Sequence, residues 1–406
     1  MTVYAHILGE APVTLWRLSS RERYRRVLRQ AGVTAIADDL SSVKPSDSVL
    51  IVRGDYLFDG RVLHDLAASL NIILEVPEGP SRRVVAAHVA ANLVREACAL
   101  LSGERSVNTL PSVRVERLED RVSSFHKSLL KSAPPFVASI RIETKRALEE
   151  RLFSHSYKGV TDLVTKWFWP VPARWATRLC VTLGLRPNHV TSISVLLVCA
   201  AGALFANGLY GWGLLAAWCM TFLDTVDGKL ARVTVTSTRF GHFFDHIMDL
   251  IHPPFWYLLW GRGLESFYPG IPSLTLDLAM WVIFIGYIVG RLVEGTFEYW
   301  LGRYSIFCWR PFDSYFRLVM ARRNPNLLLL TGSLALGRPD WGLVAVTVWT
   351  AVSTVLLLSR LGLAVYTRLV YGPLRSWLAE GTENGRDSSL AVRLFTDPLS
   401  SSASDV

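Results

Sequence analysis

The sequence predicts an α-helical membrane protein: a six-transmembrane-helix bundle with an interfacial helix, preceded by a small cytosolic α/β domain. Three observations carry this expectation. The chain has 406 residues and is 50% hydrophobic, but its apolar residues gather into long runs from Val190 onward, whereas residues 1–185 are rich in Arg and Glu. The N-terminal quarter alternates short apolar runs with helical patterns, the layout of an α/β domain. Basic residues fall in every second loop between the apolar runs, the bias that orients multi-pass proteins.

In the α/β region (1–110), the expected strands are Tyr4–Leu8, Thr34–Ala37, Val49–Val52 and Ile72–Val76. Ser19 and Glu22 form a capping box for a helix that Gly32 stops. Gly60–Leu70 and Ser81–Leu101 read as further helices. Residues 102–137, with Gly, several Ser and three prolines, read as a linker, and a charged helix follows at Arg141–Phe153; linker and helix together occupy 111–154. Tyr157–Leu185 suits an interfacial helix with Trp167, Phe168, Trp169 and Trp175 at headgroup depth. Six spans are expected within 155–370, near 190–209, 211–228, 241–261, 275–300, 324–337 and 341–366. Pro253 and Pro254 are expected to kink the third. Residues 371–406 read as a polar, disordered tail.

The first-to-second loop has no Lys or Arg, and the third-to-fourth and fifth-to-sixth loops have only Arg262 and Arg338. Lys229, Arg232 and Arg239, then Arg303, Arg310, Arg317, Arg322 and Arg323, occupy the alternate loops. Both termini are therefore expected in the cytoplasm, with the protein multi-pass in the cell (inner) membrane. The net charge of +9 fits anionic lipid headgroups. No zinc-ligand, RRM or helix-turn-helix signature accompanies it, so no nucleic-acid partner is expected. The five cysteines form no CxxC pair and read as small buried hydrophobes. The start, MTVYAHILGEAPVT, lacks the basic and apolar regions of a secretory signal.

Residues 224–249, DTVDGKLARVTVTSTRFGHFFDHIMD, carry the chemistry. Asp224 and Asp227 share one helix face, Asp245 and Asp249 another, so two adjacent helices can bring four carboxylates to one point. Uncompensated, these charges repel one another, and carboxylate clusters suit hard divalent cations such as Mg²⁺ or Mn²⁺ that also bridge substrate phosphates. Gly228 and Ala231 remove bulk beside the carboxylates, and Arg232 adds a charge suited to phosphate. Together they point to a diphosphate ligand whose cleavage a metal promotes.

The pattern D-x2-D-G-x2-A-R-x8-G-x3-D-x3-D resembles the signature of the CDP-alcohol phosphatidyltransferase family at every position, and PNHVT at 187–191 resembles the family's entry to its first span. The resemblance covers roughly residues 155–368. It implies a membrane enzyme that displaces CMP from a CDP-linked donor, CDP-diacylglycerol or another CDP-alcohol, by attack of an alcohol hydroxyl. By position, it implies two divalent ions held by Asp224, Asp227, Asp245 and Asp249, with Asp249 also the general base. It implies CDP contacts at Asp224, Gly228, Ala231 and Arg232, close helix approach at Gly241, and a homodimer.

For the acceptor, a polyol or polyol phosphate such as inositol phosphate or glycerol phosphate, the candidate residues are Arg291, Arg322 and Arg323. Arg291 can equally pair with Glu294 one turn on, and the loop arginines also satisfy the positive-inside bias. His252 can tune Asp249 or serve the fold alone.

The N-terminal region is similar to a shortened nucleotidyltransferase domain of the kind fused to CDP-alcohol transferases, with VLIVRGDYLFD placing Asp55 at the metal-aspartate position. It lacks the Gly-rich loop that would hold a triphosphate, so a regulatory, docking or dimerising role is expected and Asp55 reads as a turn residue. The competing functions are a bifunctional cytidylyltransferase and CDP-inositol transferase, and a cation transporter built on the aspartates.

Overall fold

The computed structural model describes residues 2–37, 40, 43–105, 112–237, 239–267, 273–383 and 390–396. The N-terminal region is a mixed α/β layer. Strands β1 (Val3–Leu8), β2 (Ala35–Ile36) and β3 (Ser48–Arg53) pair in parallel, with helix α1 (Ser20–Gln30) crossing between the first two. After β4 (Tyr56–Phe58) and α2 (Gly60–Ala68), β5 (Ile72–Glu78) and β6 (Ser81–Ala90) form an antiparallel hairpin; α3 (Val94–Ser102) and β7 (Arg114–Arg117) complete the layer. The six-stranded sheet has the order β2-β1-β3-β6-β5-β7.

Two expectations are corrected here. Residues 81–90 are strand, and the helix begins only at Val94. As a central strand, β6 buries both faces from Val84 to Val89, so the alternation that marks a half-exposed strand is missing. Gly79, at a φ of 61°, makes the turn between β5 and β6. The segment expected to be a linker is woven into the domain. There β7 extends the sheet beside β5, and after the short α4 (Leu118–Arg121), β8 (Phe125–His126) pairs with β9 (Lys131–Ser132). A further strand, β10 (Val137–Ser139), pairs with β4. These strands are too short to carry a readable period.

Helix α5 (Lys145–His155) leads to a π-helical turn at Val164–Phe168 and α6 (Pro170–Thr182), which leave Trp167, Phe168 and Trp175 exposed. A helix then stands at each expected span: α7 (Pro187–Ala206), α8 (Tyr210–Val233), α9 (Arg239–Phe267), α10 (Ser273–Thr296), α12 (Arg323–Ala335) and α13 (Pro339–Tyr371). The short α11 (Pro311–Val319) precedes α12. Among the described residues, Pro187–Ala206, Thr275–Gly302 and Pro339–Tyr371 are long and apolar enough to cross a membrane. About a third of each apolar window is buried (33%), which leaves large side chains such as Leu196, Trp212, Leu278 and Val355 facing outward, as lipid contact requires.

The bundle core centres on Phe205, Tyr210, Trp256 and Trp260. Both buried indoles are satisfied: Trp256 Nε1 donates to the Val198 carbonyl at 3.0 Å and Trp260 Nε1 to the Pro339 carbonyl at 3.1 Å. At Gly263 a Cβ would lie 2.2 Å from the Phe205 carbonyl oxygen, so glycine alone lets α9 approach the end of α7 this closely.

The two regions are joined at the C-terminal end of α8. Arg23 of α1 donates to the Val233 carbonyl at 2.9 Å and to the Leu15 carbonyl at 3.2 Å, while Arg26 donates to the Thr234 carbonyl at 2.8 Å. These guanidiniums satisfy carbonyls that a helix end leaves open and complement its dipole. Burial lowers the Arg23 pKa to about 10, which still leaves it charged at neutral pH.

The tail also differs from expectation. Two helices, α14 (Trp377–Glu383) and α15 (Leu390–Phe395), fold back so that Leu378 and Phe395 are fully buried in a cluster with Trp309 and Phe316. Two apolar side chains in a polar stretch are too few to signal helices by periodicity, yet they bury well once a surface is present.

Candidate active site

Helix α8 carries Asp224, Asp227, Gly228, Ala231 and Arg232; α9 carries Gly241 and Asp249. Asp245 lies in α9, but its side chain is outside the described residues. The centre of the site is an arginine from a third helix. Arg323, at the first turn of α12, donates to Asp224 Oδ2 at 2.5 Å and to Asp249 Oδ1 at 2.6 Å. One guanidinium thus bridges the two aspartate helices with charge-assisted bonds. Asp249 is the more open partner: its side chain is 43% exposed against 16% for Asp224.

Asp227 is buried and accepts from the Thr191 hydroxyl at 2.7 Å, which ties α8 to the PNHVT entry of α7. Lys229 and Arg232 both reach outward to the Ser156 carbonyl, each at 3.1 Å, and the Lys229 ammonium lies 3.5 Å from the centre of the Tyr157 ring. Lys158, next in sequence, has an accessible ammonium in a crowded cleft. Loss of surrounding water lowers its pKa, Arg232 and Arg317 push the same way, and Asp249 and Asp224 oppose them. The cleft therefore collects charges of both signs around the aspartates.

The Asp249 backbone is itself held. Pro253 sits four residues later and has no N–H to give the Asp249 carbonyl, so that carbonyl is open inside the helix. The Tyr287 hydroxyl of α10 fills the gap, donating to it at 3.1 Å. Tyr287→Phe is expected to weaken the positioning of Asp249 by about 1–2 kcal/mol, a fall in kcat of roughly tenfold with little change in donor KM. Steady-state kinetics of the variant check this. His252 has a different partner: its Nδ1 lies 2.6 Å from the Met248 carbonyl and its ring packs on Trp256, the arrangement of a residue serving the helix.

Of the acceptor candidates, Arg323 belongs to the aspartates. Arg322 donates to Glu294, and Arg291 lies 3.5 Å from the same carboxylate. The cavity between α10, α12 and α13 that they line with Tyr287 and Gly290 has a volume of about 20 Å³, room for a water molecule and no more. Sequence reasoning anticipated the Arg291–Glu294 pair as one of two options. It missed Tyr287, Thr191 and the bridging role of Arg323. The first had a signal, a proline four residues after a motif aspartate.

In the N-terminal domain, Arg53 grips Asp55 with two bonds of 2.9 and 2.5 Å. Its carboxylate is thereby neutralised by a neighbour two residues away.

The carboxylates of this site fit a divalent cation. They are oxygen donors on two helices, and the position between Asp224 and Asp249 is already taken by a positive group. Residues 185–306, which hold the whole aspartate motif, match the family model described as CDP-alcohol phosphatidyltransferase. The chain carries a CDP-alcohol phosphatidyltransferase domain. A stretch of 92 residues is 33% identical to the archaetidylinositol phosphate synthase of Methanothermobacter thermautotrophicus, covering 22% of this chain and 46% of that protein. The chain thus spans about half the length of the curated relative it matches. Arg322, Arg323 and the N-terminal region lie outside the matched family segment.

Proposed function

We propose that the chain is an integral membrane phosphotransferase of six spans. It moves a phosphatidyl or related phosphoryl group from a CDP-linked donor, CDP-diacylglycerol above all, to the hydroxyl of a polyol or polyol phosphate, and releases CMP. The observation that carries this reading is the junction at Arg323, where a motif aspartate from α8 and one from α9 converge. The alternation of basic loops supports a cytoplasmic site with both termini on that side, and the relative's name supports inositol phosphate as the acceptor class.

Asp224, Asp227, Asp245 and Asp249 would hold Mg²⁺ or Mn²⁺, which when bound supplies charge to the diphosphate and eases departure of CMP. The remaining work falls to the protein. Asp249, with the most water-accessible carboxylate of the pair, accepts the proton of the attacking hydroxyl. Arg323 keeps Asp249 and Asp224 in register, and Tyr287 fixes the turn of α9 that bears Asp249. Arg232, fastened through the Ser156 carbonyl, presents its remaining N–H groups to the nucleotide phosphates. Arg291 and Arg322 are the proposed contacts for a phosphorylated acceptor, with Glu294 balancing their charge.

Gly228 provides a test of donor binding that is separate from folding. A Cβ there would lie 3.5 Å from Arg232 Nη1, an ordinary contact that the protein alone tolerates. Gly228→Ala is therefore expected to leave Tm within about 2 °C of the parent, since no packing mechanism penalises it. It is expected to raise donor KM by about tenfold through lost space for CDP. A large drop in Tm, or an unchanged KM, contradicts the assignment.

The N-terminal domain is proposed to act as a docking module for α8 and not as a second enzyme. Arg23 and Arg26 support this by bonding the end of α8, and Asp55 supports it by its pairing with Arg53. Incubating the purified chain with CTP and inositol phosphate is expected to release no diphosphate.

A further inference from the structure

A second cleft lies between the N-terminal domain, the pre-membrane segment and the C-terminal helix. Its volume is about 290 Å³, and Lys131, Lys158, Lys166, Arg174 and Arg393 contribute to its wall. The described wall residues include no Asp or Glu. The cations come from distant parts of the chain: Lys131 from β9, Lys166 and Arg174 from the interfacial segment, and Arg393 from α15.

This is a built arrangement and not a loose surface patch. Lys131 is only 4% exposed, so its ammonium is held inside the protein. Lys166 Nζ donates to the Gly159 carbonyl at 2.8 Å and lies 5.0 Å from the centre of the Phe395 ring. Arg174 donates to Glu150, which offsets one positive charge beside the cleft. Cations gathered in one concavity repel each other and focus a positive potential there, and an anion relieves both effects.

We propose that this cleft binds a phosphate-bearing anion, gripped by lysines and arginines of the N-terminal domain, the interfacial segment and α15. Such an anion ties the three parts together around the Ser156–Gly159 turn. Ser156 in that turn anchors Lys229 and Arg232, so occupancy of the cleft is transmitted to the aspartate helix. The phosphate comes either from a soluble phosphate monoester or from an anionic lipid headgroup. Exposed Trp167, Phe168 and Trp175 on the adjoining segment put headgroups within reach.

The test is the thermal stability of the purified full chain, which does not depend on turnover or on the transferase reading. One arm titrates glycerol phosphate in neutral detergent against sodium chloride of equal ionic strength. The other compares nanodiscs of phosphatidylcholine with and without phosphatidylglycerol. Both arms are repeated with Lys166→Met, with Arg393→Ala and with the two combined. A saturable rise in Tm of several degrees, lost in the combined variant, is expected in at least one arm and identifies the source of the phosphate. Arg393 is exposed on α15, so Arg393→Ala alone, expected to weaken the apparent affinity at least severalfold, gives the readout if the combined variant does not fold. No rise beyond the salt control in either arm, or a rise undiminished in the variants, overturns the proposal.

Discussion

Asp249→Asn is expected to lower CMP release by about 10³-fold or more, within the range that loss of a positioned general base produces. The substitution keeps the shape of the side chain and removes its charge and basicity. Asp249 is also the aspartate whose side chain is most open to an incoming hydroxyl, at 43% exposure against 16% for Asp224. Donor binding should survive, because Asp224, Asp227 and Arg232 on α8 are untouched. Asp224→Asn should instead weaken donor binding together with turnover. Fluorescent CDP binding measured beside the rate separates the two variants. Wild-type activity in Asp249→Asn would remove the base from the scheme.

Arg323→Ala is expected to have the second-largest effect, and on stability as well as rate. Removing one partner of a buried ion pair leaves uncompensated charge; about 3 kcal/mol is expected, at the low end for such losses because Asp249 keeps contact with water. Asp224 and Asp249 then repel each other, and a divalent cation becomes their remaining source of positive charge. The variant should therefore be less stable than the parent without metal and gain more Tm on addition of Mg²⁺ or Mn²⁺. Arg323→Lys, which keeps the charge but loses the fork, should fall between the two. Differential scanning fluorimetry with and without metal decides this. Equal metal responses in Arg323→Ala and the parent would contradict a shared role for Arg323 and the cation.

The membrane helices were legible because their signal is collective: long apolar runs broken at Gly208, Gly337 and the basic loops. The aspartate motif was legible because its members lie within a few turns of one another. Arg323 was not, since nothing in local spacing says that a residue 74 positions beyond Asp249 returns to it. Tyr287 was half-legible: Pro253 announces an open carbonyl at Asp249, but only packing reveals which donor fills it. Strand β6 was misread because a doubly buried strand rich in Ala and Arg has no alternation. The C-terminal helices were misread because Leu378 and Phe395 find their partners only in three dimensions.

The most direct test of the central claim is CMP release by the purified full-length chain from CDP-diacylglycerol with Mg²⁺ or Mn²⁺. The acceptor panel should span inositol, inositol phosphate, glycerol and glycerol phosphate, with CDP-inositol as an alternative donor. Metal-dependent CMP release with at least one phosphorylated polyol, lost in Asp249→Asn, is the expected result. No CMP from any pairing, by protein whose folding is verified, would contradict the assignment of Asp224, Asp227, Asp245 and Asp249 to phosphoryl transfer.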